Sequence, residues 1–329
     1  MMAGLTGLPS IRPAVSRAAG LIVSGILACI ALVSGCASLP EIGKPQPNPE
    51  AVRFEGSRGP LSAAQSRAIL ERLKAKSGES SLLDRHIALE QSLVDSPLVV
   101  DNEVSLLKDG PATYRAMFAA IGKARKNINL ETYIFEDDEV GQKFADLLIA
   151  KQKAGVQVAI IYDSIGAINA PREFFKRLEQ SGIRTVEFNP INPLMGKNKS
   201  APDHRDHRKL LIVDGRTAFL GGINISRVYS AGSAPSSGSA AKMEKKDANK
   251  VPWRDTHVQI EGPVVAQYQK LFLETWERQS DKALEGEDYF PQLQSVGKEI
   301  VRAVGSNAEE PYSQIYVTLI SAINSAEKS

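Results

Sequence analysis

The stretch Asp203–Ser226, DHRDHRKLLIVDGRTAFLGGINIS, carries residue types suited to phosphodiester chemistry. Its spacing is His207-x-Lys209-x4-Asp214, followed by Gly221-Gly222-x-Asn224. An imidazole is a competent nucleophile towards phosphorus and is largely neutral near pH 7. An ammonium and an amide NH2 can bind the non-bridging oxygens and stabilise the charge that develops on them. The histidine requires a carboxylate at its second ring nitrogen to fix its tautomer, and Asp214 and Asp255 are the candidates. No further His and no Cys joins His204 and His207, so neither a metal nor another cofactor is expected. The plainer reading, a solvated basic turn ahead of a core hairpin, leaves the fixed offset of Gly-Gly-x-Asn without a reason.

Two strands must position these groups. LLIVD and TAFLGG predict short strands joined at Asp214-Gly215, a hairpin turn signal. Alternation along Lys209–Val213 puts His207, Lys209 and Leu211 on one face, and the hairpin return brings Asn224 alongside. Upstream, strands alternate with helices. Strands are expected over Glu103–Leu107, Ile128–Phe135, Val156–Tyr162 and Ile183–Phe188. Helices are expected over Tyr114–Lys126, Glu139–Ala154 and Pro171–Ser181, with Gly155 and Gly182 as their stops. Repeated βα units of this kind argue an α/β fold with a largely parallel or mixed sheet. Glu131, Asp137 and Asp138 read as solvated acids at a strand end, and His204 as a rim or turn residue. Asp163, closing VQVAIIYD, is placed where it could face the pocket. Trp253, Phe272 and Trp276 read as core.

The N-terminus has a different character. Arg12 and Arg17 precede the apolar run Ala18–Val33, which exits through small residues into Cys36. That is the layout of a secretory signal, and the run is short for a membrane-spanning helix of about 20 residues. Small residues leading directly into a cysteine predict a lipidated Cys36 as the first mature residue. The expected location is the bacterial cell envelope, anchored by lipid and facing the periplasm, with Ala37 leaning towards the outer membrane. Only Cys29 and Cys36 occur, so the mature chain is expected to form no internal disulfide. Net charge is +2 over 329 residues, which lends no support to nucleic-acid binding. A proline-rich tether (37–54) and two amphipathic helices (61–76 and 80–94) follow the anchor, and the low-complexity Ser230–Lys250 predicts a surface loop. Tyr114–Lys126 can be laid over Tyr316–Lys328 with Tyr, Ala, Ile, Ala and Lys coinciding. A duplicated lobe is therefore expected, its second copy cut short at Ser329. The expected order is a signal peptide (1–35), tether and helices (36–96), a first lobe (97–285), then a linker and the start of a second lobe (286–329).

The motif resembles the HKD motif of the phospholipase D superfamily, and more narrowly that of bacterial cardiolipin synthases. The likeness extends over INLETYIFEDDEVGQKFADLLIAKQKAGVQVAIIYDSIGA and WRDTHVQIEGPVVAQYQKLFLETW, on either side of the motif. It implies a mixed sheet flanked by helices on both faces, the first of two duplicated lobes. It also implies a two-step phosphatidyl transfer through a phosphohistidine, with cardiolipin as the product. His207 would be the nucleophile, Lys209 and Asn224 phosphate ligands, Asp214 a structural orienter, and Asp255 the acid that holds the histidine. The substrate would be a phospholipid, with membrane contact through Cys36 and no nucleic-acid partner. No second motif is present: His86 is followed by Ala88 and Leu93, and His257 by Gln259 and Val264. The general acid is thus expected from residues beyond Ser329 or from a homodimer partner. The alternatives are a phospholipase D hydrolase, a secreted phosphodiesterase or nuclease of the superfamily, and a headgroup-binding lipoprotein without activity.

Overall fold

The computed structural model describes residues 52–77, 87, 96–191, 203–230, 252–280, 282–285, 288–306 and 313–325. The signal and Cys36, the anticipated helix over 80–94 apart from Ile87, and the anticipated loop Ser230–Lys250 apart from Ser230 lie outside that set. The strands are β1 (Phe54–Gly56), β2 (Gly59–Pro60), β3 (Leu98–Leu107), β4 (Asn127–Thr132), β5 (Gln157–Asp163), β6 (Arg184–Phe188), β7 (Lys209–Val213), β8 (Thr217–Gly221), β9 (His257–Glu261) and β10 (Glu299–Val301). The helices are α1 (Ala63–Ser77), α2 (Gly110–Lys123), α3 (Glu139–Lys153), α4 (Arg172–Gln180), α5 (Val265–Gln279) and α6 (Gln314–Ser325).

The strands form one mixed sheet in the order β2-β1-β3-β9-β8-β7-β4-β5-β6, with β10 also paired to β3. β4, β5 and β6 are parallel, as the helical crossovers between them require, whereas β7, β8 and β9 run antiparallel to their neighbours. Period-2 alternation sorts the central strands between two cores. Ile128, Leu130, Val158, Ile160, Leu211 and Val213 pack with Met117, Phe144 and Phe174 of α2, α3 and α4. Ala159, Ile161, Leu210 and Ile212 pack with Tyr268, Phe272 and Trp276 of α5. A strand covered on both faces reads as a continuous apolar run, which is the pattern of QVAIIYD and KLLIV.

Helix starts follow their caps. The Asp109 side chain accepts the Ala112 N–H, so α2 begins at Gly110, four residues before the expected Tyr114. The Asp138 carboxylate accepts the N–H groups of Val140 and Gly141 and opens α3, so this acid is a cap and not simply a solvated charge. The boundaries drawn from sequence are crossed twice at one end of the sheet, both times at β3. β1, assigned to the tether region, pairs with β3, and β10, assigned to a second lobe, pairs with β3 as well.

Candidate active site

His207 stands just before β7 and Lys209 is its first residue, paired with Thr132 across β4. The segment that delivers them is pinned from below. Asp163, at the carboxyl end of β5, accepts the Ile165 and Gly166 N–H groups on one oxygen and the Asp206 N–H on the other, at 2.9–3.0 Å. Arg205 lies 3.6 Å from the same carboxylate and donates to the Ser164 hydroxyl and the Asn189 carbonyl. Burial pushes the Asp163 carboxyl up while those N–H donors and Arg205 pull it back. Asp163 therefore positions the segment that carries His207 and Lys209 and, being fully buried, does not itself reach into an open pocket.

From Asp206 onward the alternation sends the two cations, Arg208 and Lys209, to different sides. Arg208 turns towards α5, donating to the Thr275 hydroxyl at 2.6 Å, to Glu131 at 3.3 Å and to the Ser306 carbonyl at 2.7 Å. Glu131 is 0% exposed, which corrects its reading as a solvated strand-end acid. Burial, and the neighbouring Asp206, push its carboxyl well up, and Arg208 opposes that rise. Lys209 turns the other way. Its Nζ lies 5.2 Å from the centroid of the Tyr133 ring, and the His207 imidazole stands with its centroid 4.7 Å from that same ring. The two expected reacting side chains therefore share one side of the chain.

Their electrostatics suit the roles. Burial, then the adjacent Lys209 charge, hold His207 below its ordinary value, so the imidazole is neutral at physiological pH. Its side chain is exposed, free to meet an electrophile. Lys209 is 7% exposed, and burial brings its amine down to about 8 against the pull of Asp206, Asp255 and Asp163. Among the described residues its amine donates one hydrogen bond, to the His207 carbonyl at 2.6 Å, leaving two N–H donors for an anion.

Asn224 is 3% exposed and closes the next side. Its Oδ1 accepts the Ile134 N–H at 3.0 Å, and its Nδ2 donates to the Tyr229 hydroxyl at 2.8 Å, with one amide hydrogen left over. The Tyr114 hydroxyl donates to the Asn224 and Ser226 carbonyls, fixing the strand exit from the opposite side. Asp255 fills the space above Gly222: a Cβ there would fall 2.1 Å from both carboxylate oxygens. Among the described residues no hydrogen bond joins Asp255 to His207; the acid accepts the Thr256 N–H and acts on Lys209 through its charge. His257 is 1% exposed, its Nδ1 accepts the Ile223 N–H, and burial drives its pKa down to about 3. His204 sits at the rim, where its carbonyl accepts from the Asn189 side chain.

Asp214 does not join this group. It occupies the hairpin turn at the far end of β7, five residues and roughly 16 Å from Lys209. There its carboxylate accepts the backbone N–H groups of Arg125, Lys126 and Asn127 at 2.7–3.1 Å. As the histidine's carboxylate partner it is ruled out by distance; it clamps the start of β4 to the end of β7.

Residues 117–231 match the family model described as cardiolipin synthase, phospholipase D-like domain. Over those residues the chain is similar to a phospholipase D-like domain. Cardiolipin synthase of Alkalihalophilus pseudofirmus is 31% identical over 262 residues, covering 79% of this chain and 48% of that protein. Cardiolipin synthase A of Pseudomonas aeruginosa is 33% identical over 229 residues, covering 69% of this chain and 43% of that one. Among solved structures, a phosphatidylserine synthase from Haemophilus influenzae overlaps 73% of this chain and 47% of its own at 16% identity and a TM-score of 0.41. The chain spans about half the length of the curated relatives it matches.

Two contributors to this site, Tyr133 and Tyr229, were not singled out from sequence, and a third, Glu131, was read as solvated. Tyr133 was read only as a strand residue, although it directly follows the position that pairs with Lys209. Glu131 shares strand parity with Asn129, whose amide meets Gln269 of α5, so the alternation of INLET signalled a buried polar face. Tyr229 had no local signal. Trp253 was expected in the core and is 56% exposed, edge-on to Tyr229 at 5.7 Å.

Proposed function

We propose that this chain supplies the nucleophile-bearing lobe of a phosphatidyltransferase that acts on phospholipid phosphodiesters, with cardiolipin synthesis as the reaction. The observation that carries the reading is the pairing of an exposed, neutral His207 with a buried, cationic Lys209 against one aromatic ring. In the first step a His207 ring nitrogen attacks phosphorus. The bond to the leaving alcohol breaks, and that alcohol takes a proton from a general acid. In the second step an incoming alcohol attacks the phosphohistidine, returning the proton and releasing His207. Lys209 and the spare Asn224 amide hydrogen bind the non-bridging oxygens through both steps.

The general acid is assigned to a second lobe, from residues that follow in an intact protein or from a partner copy. One observation supports it besides the lengths of the relatives. Tyr114, Met117 and Ile121 of α2 are buried at 6%, 5% and 0%, whereas Tyr316, Leu319 and Ile323, their counterparts in α6, are exposed at 44%, 58% and 67%. The same face is covered in one copy and bare in the other. Anchoring through a lipidated Cys36 at the periplasmic side of an envelope membrane completes the proposal, because a tether keeps the pocket near an insoluble substrate.

The test is turnover of labelled phosphatidylglycerol by the intact protein. His207→Ala is expected to abolish product while leaving the thermal transition in place; undiminished product would remove the nucleophile assignment. The label separates cardiolipin from phosphatidic acid, and phosphatidic acid as the sole product would turn the reading from transfer to hydrolysis.

A further inference from the structure

Tyr133 touches both reacting side chains. A ring centroid 5.2 Å from an ammonium lies within the range of cation–π attraction, and 4.7 Å between aromatic centroids is a packed pair, here tilted by 55°. The ring is also held still. Thr132 before it is paired with Lys209 in the β4/β7 register, and Ile134 after it is tied to Asn224. The loop after β5 leaves no slack: a Cβ on Gly166 would fall 2.0 Å from the Tyr133 carbonyl oxygen. The Tyr133 hydroxyl makes no hydrogen bond among the described residues, so the contacts on the page belong to the ring.

We propose that Tyr133 is a positioning residue, its ring packing the His207 imidazole and holding the Lys209 ammonium beside it. The inference rests on the reading of His207 and Lys209 as the reacting pair. Without the ring, Lys209 loses a partner for its charged form and His207 loses the surface that limits its rotation. Lys209 is then left with Asp206, Asp255 and Asp163 as the acids in its field and His257 as its neutral neighbour, while His207 retains Asp206 and Asp163.

The experiment compares Tyr133→Phe and Tyr133→Leu in two arms. In the first, the titrations of Lys209 Nζ and the His207 ring are followed by nuclear magnetic resonance in this chain, with no substrate. Tyr133→Phe is expected to titrate like the parent, and Tyr133→Leu to lower the Lys209 midpoint by about half a pH unit or more, the size expected of a cation–π contact. In the second, turnover by the intact protein is expected to fall about tenfold in kcat for Tyr133→Leu, with its alkaline limb shifted down, and to stay within about twofold for Tyr133→Phe. Unchanged Lys209 and His207 titrations in Tyr133→Leu would overturn the proposal. So would Tyr133→Phe behaving like Tyr133→Leu, which would transfer the role to the hydroxyl. Should Tyr133→Leu fail to fold, Tyr133→Trp replaces it, and a parent-like titration in that ring-bearing variant is required. Because the first arm needs no lipid turnover, it stands or falls apart from the substrate assignment.

Discussion

Two adjacent residues, Arg208 and Lys209, carry the same formal charge and do different work. Arg208 is spent on Glu131, Thr275 and the Ser306 carbonyl, deep against α5. Lys209 gives one donor to the His207 carbonyl and keeps two. A pH profile should expose the difference. The proposed reaction requires His207 neutral and Lys209 charged. Because His207 is held below its ordinary value, the acid limb of kcat/KM is expected below about 6.5. Because Lys209 lies at about 8, activity is expected to be lost as pH rises through that value. An alkaline limb near 10 would mean that Lys209 is not the group being titrated. Arg208→Ala should act on stability, leaving a buried carboxylate unpaired at a cost of about 3 kcal/mol. Glu131 already has a raised pKa, so protonation relieves that cost at low pH, and the loss should grow as pH increases. Urea melts at several pH values would read this; a loss independent of pH would place the defect elsewhere.

At the scale of elements, the β7–β8 hairpin is a part held at both ends. Asp163 and Arg205 fix the approach to β7, and Asp214 fixes its exit by accepting three backbone N–H groups. Asp214 has φ of 54°, a region that Asn tolerates and Ala does not. Asp214→Asn is therefore expected to cost about 1 kcal/mol, and Asp214→Ala about 3 kcal/mol, in denaturant unfolding. The pH limbs set by His207 and Lys209 should not move in Asp214→Asn; a moved limb would return Asp214 to the chemistry. Much of this element was legible in sequence. The turn dipeptide, the two apolar runs and the face shared by His207 and Lys209 follow from a period of two and a known turn preference. Asp214's true task was not legible, because its partners Arg125, Lys126 and Asn127 stand nearly 90 positions away and contribute only backbone. The buried Glu131 was missed for a related reason: acidity argues for solvent until the opposing Arg208 is known to point inward.

At the scale of the whole molecule, the sheet is more continuous than the composition of the chain suggests. Proline and polar residues around 37–54 argue for a tether, yet β1 begins at Phe54 and joins β3. Local composition cannot report a strand three residues long whose partner begins at Leu98. The repeat, by contrast, is visible because matching apolar spacing survives in both copies, and the difference in their burial gives it a physical consequence. Leu319→Lys combined with Ile323→Lys should leave the stability of this chain within about 0.5 kcal/mol, since both side chains already face solvent. The same pair should reduce self-association in sedimentation experiments. A large loss of stability would show that the α6 face is packed within the chain itself.

The pairing of Lys209 with Thr132 also has a meaning for misfolding. If β7 slid by one position against β4, every inward side chain would trade places with its outward neighbour. Arg208 would arrive beside Tyr133, and a lysine would be left with Glu131. The charge count of each compartment would be unaltered, so crude electrostatics would not detect the error. The chemistry would, since a permanently protonated fork would replace an amine poised near 8. The triple clamp at Asp214 and the anchor at Asp163 thus fix the register of the strand that bears Lys209.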